Sequence, residues 1–304
     1  MPLSEKGIIA RIRARFPGGA ELTDDCGEIP PPPPGERLLV STDLMEEGHH
    51  FQFAWHPPRL LGRKLLTINL SDLDASGARP TGFTLTLALP PDLEETWLLE
   101  FLEGLAERAE ECAVPLLGGD TVGRAEGIGL GITAFGSARR WLRRDGVQPG
   151  DRLWVDQPLG ASLRGLRALQ AGRRWDPGRP EPELAAHLDP HPRLGLGLRL
   201  AGIPDVHACI DLSDGLSKDL AALGEASGCT IRLAPSLAPD EIEGGEDYAR
   251  CFAASLPRTE LETLLGLPLR EVGRAEAWTG LPLLQAGGDA ARPQPDLSFD
   301  HFRP

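Results

Sequence analysis

Five stretches of the sequence set carboxylates where they can meet one another: Asp24-Asp25, Ser41-Thr42-Asp43, Asp72, Gly119-Asp120 and Asp211-Leu212-Ser213-Asp214. Asp43, Asp120 and Asp211 each directly follow a short apolar run that reads as a strand. Carboxylates gathered at strand ends share one edge of a fold and bind hard divalent cations through oxygen. Any one of these segments also has a plainer reading. Ser213 and Asp214 stand just ahead of a helix at Leu216, where such residues ordinarily act as caps, and Asp24-Asp25 suits a turn. Asp72 is harder to place in that way. Leu61, Leu65, Ile68 and Asp72 fall on one helical stripe, so the last position of an apolar stripe is a carboxylate. A buried unpaired charge is costly or takes up a proton. A bound cation removes the cost, and so does a salt bridge to Lys64 or Arg79; the sequence leaves both open. Gly118-Gly119 before Asp120, and Gly244-Gly245 before Glu246-Asp247, let backbone approach a ligand or simply make tight turns.

Charge narrows the choice. The 304 residues carry a formal net charge of −14, with 45 acidic against 31 basic side chains. Such a surface repels a nucleic-acid backbone, so nucleic acid is not expected as a partner. It also repels a nucleoside triphosphate unless some carboxylates carry cations. The acidic balance and the acidic turns together point to a polyacidic Mg2+ site for a phosphorylated ligand. The common nucleotide signatures are missing: there is no GxxxxGK[ST], and Gly127, Gly129 and Gly131 alternate without the third position of GxGxxG. Gly215 sits fifth in the Asp211 segment, where an EF-hand needs glycine sixth. His49, His50, His56 and His191 belong to no Ser-His-Asp or Cys-His set. Five cysteines (Cys26, Cys112, Cys209, Cys229 and Cys251) without CxxC spacing argue against a disulfide framework or a zinc site, and for reduced thiols in the cytoplasm. No apolar run approaches the ~18 residues of a membrane helix. Met1 to Phe16 lacks the pattern of a secretory signal and reads as an opening helix.

The elements that must position these residues follow from periodicity and breakers. Strands are expected at Arg37 to Thr42, Thr84 to Leu89, Val114 to Leu117, Gly127 to Phe135, Asp151 to Val155, His207 to Ile210 and Ala249 to Ala253. Helices are expected over Leu60 to Ser76, over Leu93 to about Cys112 with Asp92 as cap, over Gly160 to Gln170, and after Gly215 with Leu216, Leu220 and Leu223 inward. Pro30 to Gly35 reads as a surface loop. Trp175 to Pro192 is rich in Pro and Arg and shows no pattern. The charged stretch Arg139 to Gly150, ending in Pro149-Gly150, is the expected domain junction. Strands and helices mix without regular βαβ alternation, so the fold class is α+β, with two domains over 1–138 and 139–304.

Taken together the segments resemble the thiamine-monophosphate kinases, within the superfamily of aminoimidazole ribonucleotide synthetase. The matching stretches are TDDCGEI, STDLMEEGHHF, NLSDLDASGARP, LLGGDT, RDGVQPGD, IDLSDGL, EGGEDY and SFDHF, in order from Asp24 to Phe302. The resemblance implies an N-terminal sheet domain that binds metal and ATP, pairs into a homodimer through its sheet, and is followed by a C-terminal α+β domain that completes the active site. It implies direct transfer of the ATP γ-phosphoryl group to thiamine monophosphate, giving thiamine diphosphate, with several Mg2+ ions and no phosphoenzyme. It assigns Asp25, Ser41, Thr42, Asp43, Asp72, Asp120, Asp211 and Asp214 to metal. Gly119, Asp120, Arg144 and Ser213 are assigned to ATP, and His50, Glu246 and Phe299 to substrate. No covalent or general-base residue is expected. Thr23 stands where the family has glycine, the stretch between Leu233 and Gly244 is short enough to lack a helix, and Asp74 is an extra charge expected to face solvent. A selenophosphate synthetase would need a reactive cysteine before Asp24, and a hydrogenase-maturation member a terminal cysteine; neither is present.

Overall fold

The computed structural model describes residues 4–19 and 22–285. Its chain divides into two units. The first comprises Met1–Leu73, Arg79–Arg139 and Arg174–Pro180; the second comprises Asp74–Ala78, Arg140–Arg173 and Glu181–Pro304. The short exchanged segments are not visible in the sequence pattern. Together the two units make the α+β architecture of the aminoimidazole ribonucleotide synthetase type. No described helix is long and apolar enough to cross a membrane.

The first unit holds α1 (Glu5–Arg15), β1 (Arg37–Glu46), α2 (Pro58–Ala75), β2 (Arg79–Leu89), α3 (Glu95–Glu111), β3 (Leu116–Gly123) and β4 (Gly129–Ala138). The strands form one sheet in the order β1-β4-β2-β3, antiparallel except for the parallel pair β2-β3. β1 and β3 are therefore opposite edges. Strand period two divides the sheet into two faces. One face buries Met45, Phe83, Leu85, Leu87, Leu130 and Ile132. Helices close it: α2 reaches β1 through two hydrogen bonds, and Phe16 after α1 sets its ring edge-on to Phe83, centroids 6.3 Å apart. The opposite face leaves Leu38, Val40, Leu44 and Val122 exposed, Val40 to 64%.

Several expected boundaries shift here, for physical reasons. β1 runs past Asp43 to Glu46 because β4 pairs with it along its whole length. β3 runs through Gly118, Gly119 and Asp120 because Gly119 has no side chain; a Cβ there would sit 2.1 Å from the Leu85 carbonyl oxygen of β2. Asp43 and Asp120 thus lie within strands rather than beyond their ends. Glu94, not Asp92, is the residue that precedes α3.

The second unit adds β5 (Arg152–Val155), α4 (Ala161–Gln170), α5 (Pro182–Leu188), α6 (Leu196–Ala201), β6 (Val206–Asp211), α7 (Leu216–Ser227), β7 (Cys229–Leu233), α8 (Pro239–Glu243), β8 (Arg250–Ala254), α9 (Arg258–Leu265), β9 (Arg270–Ala277) and β10 (Leu283–Leu284). Its six strands run β10-β7-β9-β5-β8-β6. One face packs Leu153, Ile210, Cys251 and Val272 against Leu216, Leu220 and Leu223 of α7. The other packs Trp154, Cys209 and Phe252 against α6 and α9. α5 lies in the stretch without sequence pattern, and the short segment before Gly244 does hold a helix, the single turn α8. Burial raises the thiols of Cys209, Cys229 and Cys251 above their ordinary range, which suits inert reduced cysteines.

Asp74 corrects another expectation. It does not face solvent: it is 2% exposed, and its Oδ2 accepts from Nε of Arg250, which is 0% exposed, at 2.6 Å. Its oxygens also accept from the backbone N–H groups of Gly195 and Gly197 at 2.6 and 3.2 Å. Arg250 gives a second donor to the Tyr248 carbonyl, and its own N–H donates to Asp156 Oδ1. Removing one partner of a buried ion pair strands the other charge, at about 3–5 kcal/mol. Asp74→Ala is therefore expected to destabilise the second unit by roughly that amount. Arg250→Met combined with Asp74→Leu should cost clearly less than either single change; urea unfolding followed by circular dichroism checks both.

Candidate active site

In the first unit, the alternation of β1 points Ser41 and Asp43 toward the helix-covered face. Ser41 Oγ donates to Asp72 Oδ2 at 2.5 Å, so the carboxylate at the end of the α2 stripe meets the strand it lies over. One α2 turn earlier, Asn69 accepts the Asp43 backbone N–H at 3.1 Å and donates to the Leu65 carbonyl at 2.9 Å. That side chain is thereby locked, and it fills the hydrogen bond an edge strand otherwise leaves open. The structure thus brings Ser41, Asp43 and Asp72 to one place. Thr42 points to the opposite face, where its hydroxyl donates to the Ile132 carbonyl at 3.0 Å and lies 3.1 Å from the Thr133 hydroxyl.

Asp120 is exposed on β3, and its Oδ1 accepts from the Thr121 N–H. Three strand spacings of ~4.8 Å separate the edge strands β1 and β3, roughly 14 Å. Register sets Asp43 level with Gly119 and Leu44 level with Asp120, so Asp120 also shares the open face rather than the covered one. Within one chain Asp43 and Asp120 do not meet. The Asp24-Asp25 turn belongs with β3. Gly27 packs so tightly there that a Cβ would lie 1.8 Å from the Leu117 carbonyl oxygen. His50 Nδ1 accepts the Glu46 N–H at 2.9 Å, so a neutral ring carries its proton on Nε2 and presents a donor there. Glu46 is itself held by Arg124 at 2.8 Å.

In the second unit, Asp211 is the last residue of β6 and the DLSDG turn follows it. Ser213 and Asp214 do not cap α7; the capping position is Gly215. Asp219, in the first turn of α7, instead accepts the N–H groups of Asp214 and Gly215 at 3.3 and 3.2 Å. Burial pushes the Asp219 carboxyl up to about 8, and the charges of Asp211 and Asp214 add to the rise, against the opposing field of Arg144. Arg144 stands in a short helical turn, Arg144–Gly146, tied to α7 by the bond from Ser227 Oγ to its carbonyl. Asp214 takes Lys218 at 2.7 Å.

The EGGEDY segment is bound to that same turn. Glu246 N–H donates to the Ser213 carbonyl and Tyr248 N–H to the Leu212 carbonyl, both at 2.8 Å. Gly244 and Gly245 are explained by the chain itself: a Cβ on either would meet the carbonyl oxygens of Asp240 or Ser213 within 2.8 Å. Glu246 and Tyr248 have φ of 60° and 49°, a left-handed backbone that costs non-glycine residues ~1–2 kcal/mol each. Asp247 between them anchors the turn, accepting the Gly160 and Ser162 N–H groups at the start of α4. Burial raises its carboxyl to about 6, against those two hydrogen bonds. Phe299 lies outside the described residues. Asp219 and Asp247 were not singled out from sequence; Asp219 is legible only as a polar residue on the inward stripe with Leu216, Leu220 and Leu223.

Among the described residues no three His, Cys, Asp or Glu side chains form a ready-made metal cage. Mg2+ does not require one. It keeps waters and takes one or two carboxylates plus ligand phosphates. The all-oxygen donors fit such an ion, and the raised Asp219 carboxyl marks a place where added positive charge is favourable.

Comparison with known proteins agrees in extent and kind. Residues 23–138 match the family model described as AIR synthase related protein, N-terminal domain. The chain is 35% identical to the thiamine-monophosphate kinase of Escherichia coli K12 over 91% of this chain and 92% of that one. It is 30% identical to that of Leptospira interrogans over 96% of each. The crystal structure of the thiamine-monophosphate kinase from Stenotrophomonas maltophilia superposes with a TM-score of 0.77 at 32% identity, covering 95% of this chain and 99% of the other. AaThiL complexed with AMPPCP and TMP gives 0.77 at 26% identity over 99% of each chain.

The raised Asp219 carboxyl makes a signed prediction. Between pH 3.8 and about 8 the folded chain retains a proton the unfolded chain has lost, so this group's contribution falls as pH rises through that window. The unfolding midpoint of chelator-treated protein should decline from pH about 5 to about 8, and Asp219→Asn should flatten the decline. Mg2+ added near the upper end should restore the wild-type midpoint. Scanning calorimetry at several pH values reads all three.

Proposed function

This chain belongs to the thiamine-monophosphate kinase family and is an enzyme of that kind, and we propose that it transfers the γ-phosphoryl group of ATP directly to thiamine monophosphate, releasing thiamine diphosphate and ADP. The observation that carries the reading is the meeting of Ser41, Asp43 and Asp72 at one edge strand, in a chain aligned nearly end to end with named kinases of this reaction.

The obstacle to the reaction is charge, since both reactants are anions. The nucleophile is a phosphate oxygen, largely ionised near neutral pH, so no strong general base is needed and none is assigned. Catalysis then rests on positioning and electrostatics. Several Mg2+ ions, when bound, supply neutralisation of the phosphate oxygens and help align the in-line transfer. Asp25, Ser41, Thr42, Asp43, Asp72, Asp120, Asp211 and Asp214 would hold them. Arg144 and the main chain at Gly119 and Ser213 would hold ATP together with Asp120. His50 offers its Nε2–H to the substrate, and Glu246 faces the cationic thiazolium or the aminopyrimidine; the substrate role that the resemblance gives Phe299 lies outside the described residues. The enzyme acts in the cytoplasm in this reading.

A homodimer completes it. The open face of the first sheet carries exposed Leu38, Val40, Leu44 and Val122, an apolar surface that pairing would cover. The separation of Asp43 from Asp120 adds a reason: a second copy that brings its β3 edge to this β1 edge would gather both carboxylates at one site.

The test is ADP release from Mg-ATP with thiamine monophosphate, with thiamine and with no acceptor, and chromatography for thiamine diphosphate. Product from the monophosphate alone is expected; ATP binding without product overturns the reading. Asp43→Asn and Asp120→Asn should each lower kcat by about 10³-fold or more without changing the circular dichroism. Subunit exchange between the two inactive variants should restore up to about one quarter of wild-type activity if the site is shared across a pair.

A further inference from the structure

Asp219 stands inside a helix but serves the chain ahead of it. A capping side chain ordinarily precedes its helix and takes the N–H groups of the first turn. Here the direction is reversed. Asp219 lies in the first turn of α7, and its Oδ2 reaches back to accept the N–H groups of Asp214 and Gly215 at 3.3 and 3.2 Å, both ahead of the helix. Its own N–H donates to the Gly215 carbonyl at 3.0 Å. Leu216, Leu220 and Leu223 anchor α7 in the core, so the helix sets the place of that acceptor oxygen. The other side of the DLSDG turn is tied to residues 246–249. Leu212 N–H donates to the Ala249 carbonyl at 3.0 Å, and the Leu212 and Ser213 carbonyls accept from Tyr248 and Glu246 at 2.8 Å. Gly215 closes the turn with φ of 120°, a conformation open to glycine. With the main chain bound on both sides, Ser213 and Asp214 keep half-buried side chains, while Asp211, Gly215 and Asp219 are buried. Lys218 of the same helix meets the Asp214 carboxylate at 2.7 Å.

We infer that Asp219 is a positioning residue for metal binding: its Oδ2 fixes the main chain of Asp214 and Gly215, so that the Asp214 carboxylate is aimed before the cation arrives. The inference rests on the reading that Asp214 holds Mg2+. Mg2+ demands near-ideal octahedral geometry, so a turn left free to rock loses affinity. Groups that orient a metal ligand contribute about 10–100-fold to that affinity. What the turn needs from residue 219 is an acceptor at one place, and Asp219 acts through the turn without being a ligand itself.

Binding of Mn2+ to the nucleotide-free protein, read from the paramagnetic resonance of the free ion, tests it together with the Mg2+ dependence of the kinase reaction. Asp219→Leu fills the site without an acceptor. It should weaken Mn2+ binding at the Asp214-dependent site about tenfold and raise the Mg2+ needed for half-maximal rate by a similar factor, with kcat at saturating Mg2+ within about threefold. Asp219→Asn, whose amide oxygen can take the place of Oδ2, should bind Mn2+ within about threefold of wild type. Asp219→Glu keeps the charge but moves the acceptor by one methylene, and should bind more weakly than Asp219→Asn. A role confined to stabilising α7 would lower the melting temperature of Asp219→Leu and leave its Mn2+ affinity unchanged, and that result overturns the inference. So does glutamate matching or exceeding asparagine, the order expected if charge were the contribution. Should the leucine variant not fold, the order of Asn and Glu decides. An Asp214→Ala protein that binds Mn2+ as wild type does overturns the metal reading beneath, a result distinct from an Asp214-dependent affinity indifferent to Asp219.

Discussion

A carboxylate removed from water must be met by positive charge or by donors, or it takes up a proton, and that constraint organises this protein. The chain satisfies some of its buried acids itself. Asp74 has Arg250 and two backbone N–H groups, and Asp151 has His207 at 2.9 Å. Asp219 is treated differently: its two backbone donors are outweighed by burial and by two neighbouring carboxylates. The first group are structural charges whose partners are built in. The second is an acid whose charge the chain's own donors do not balance.

Sheet geometry decides which acids can cooperate. In the four-stranded sheet the edge strand β1 has one ladder open, and Asn69 closes part of it from α2. That bond sets α2 over β1 in the register that lets Ser41 reach Asp72. At the other edge Gly119 lets β3 run parallel and close to β2, so Asp120 is carried out onto the open face. The same alternation that unites Ser41 with Asp43 therefore separates both from Asp120.

In the second unit the equivalent organising piece is a strained turn. The left-handed residues Glu246 and Tyr248 hand their N–H groups to the carbonyls of the DLSDG turn, while Asp247 between them grips α4. Strain of this kind persists only where the surroundings over-determine it. Here one short segment couples the acidic turn and the start of α4.

What the sequence determined by itself was the family. The acidic turns, the net charge and the missing nucleotide signatures led to the proposal of an oxygen-rich cation site for a phosphorylated ligand. The order of the motifs led to the family that the comparisons show. Long amphipathic elements were legible as well, because α3 and α7 keep one face buried and periodicity survives. What only the tertiary structure decided were the partners. Asp74 reads as a solvent charge because Arg250 lies 176 residues away. α5 shows no visible pattern because it is only seven residues long and one of its three buried positions, Leu184, His187 and Leu188, is polar. Asp43 and Asp120 look alike in sequence although the sheet sets them on opposite edges. Residue type and spacing encode what a group can do chemically. Which groups do it together depends on strand order and on close approaches between distant segments, and those are long-range properties that no local window contains.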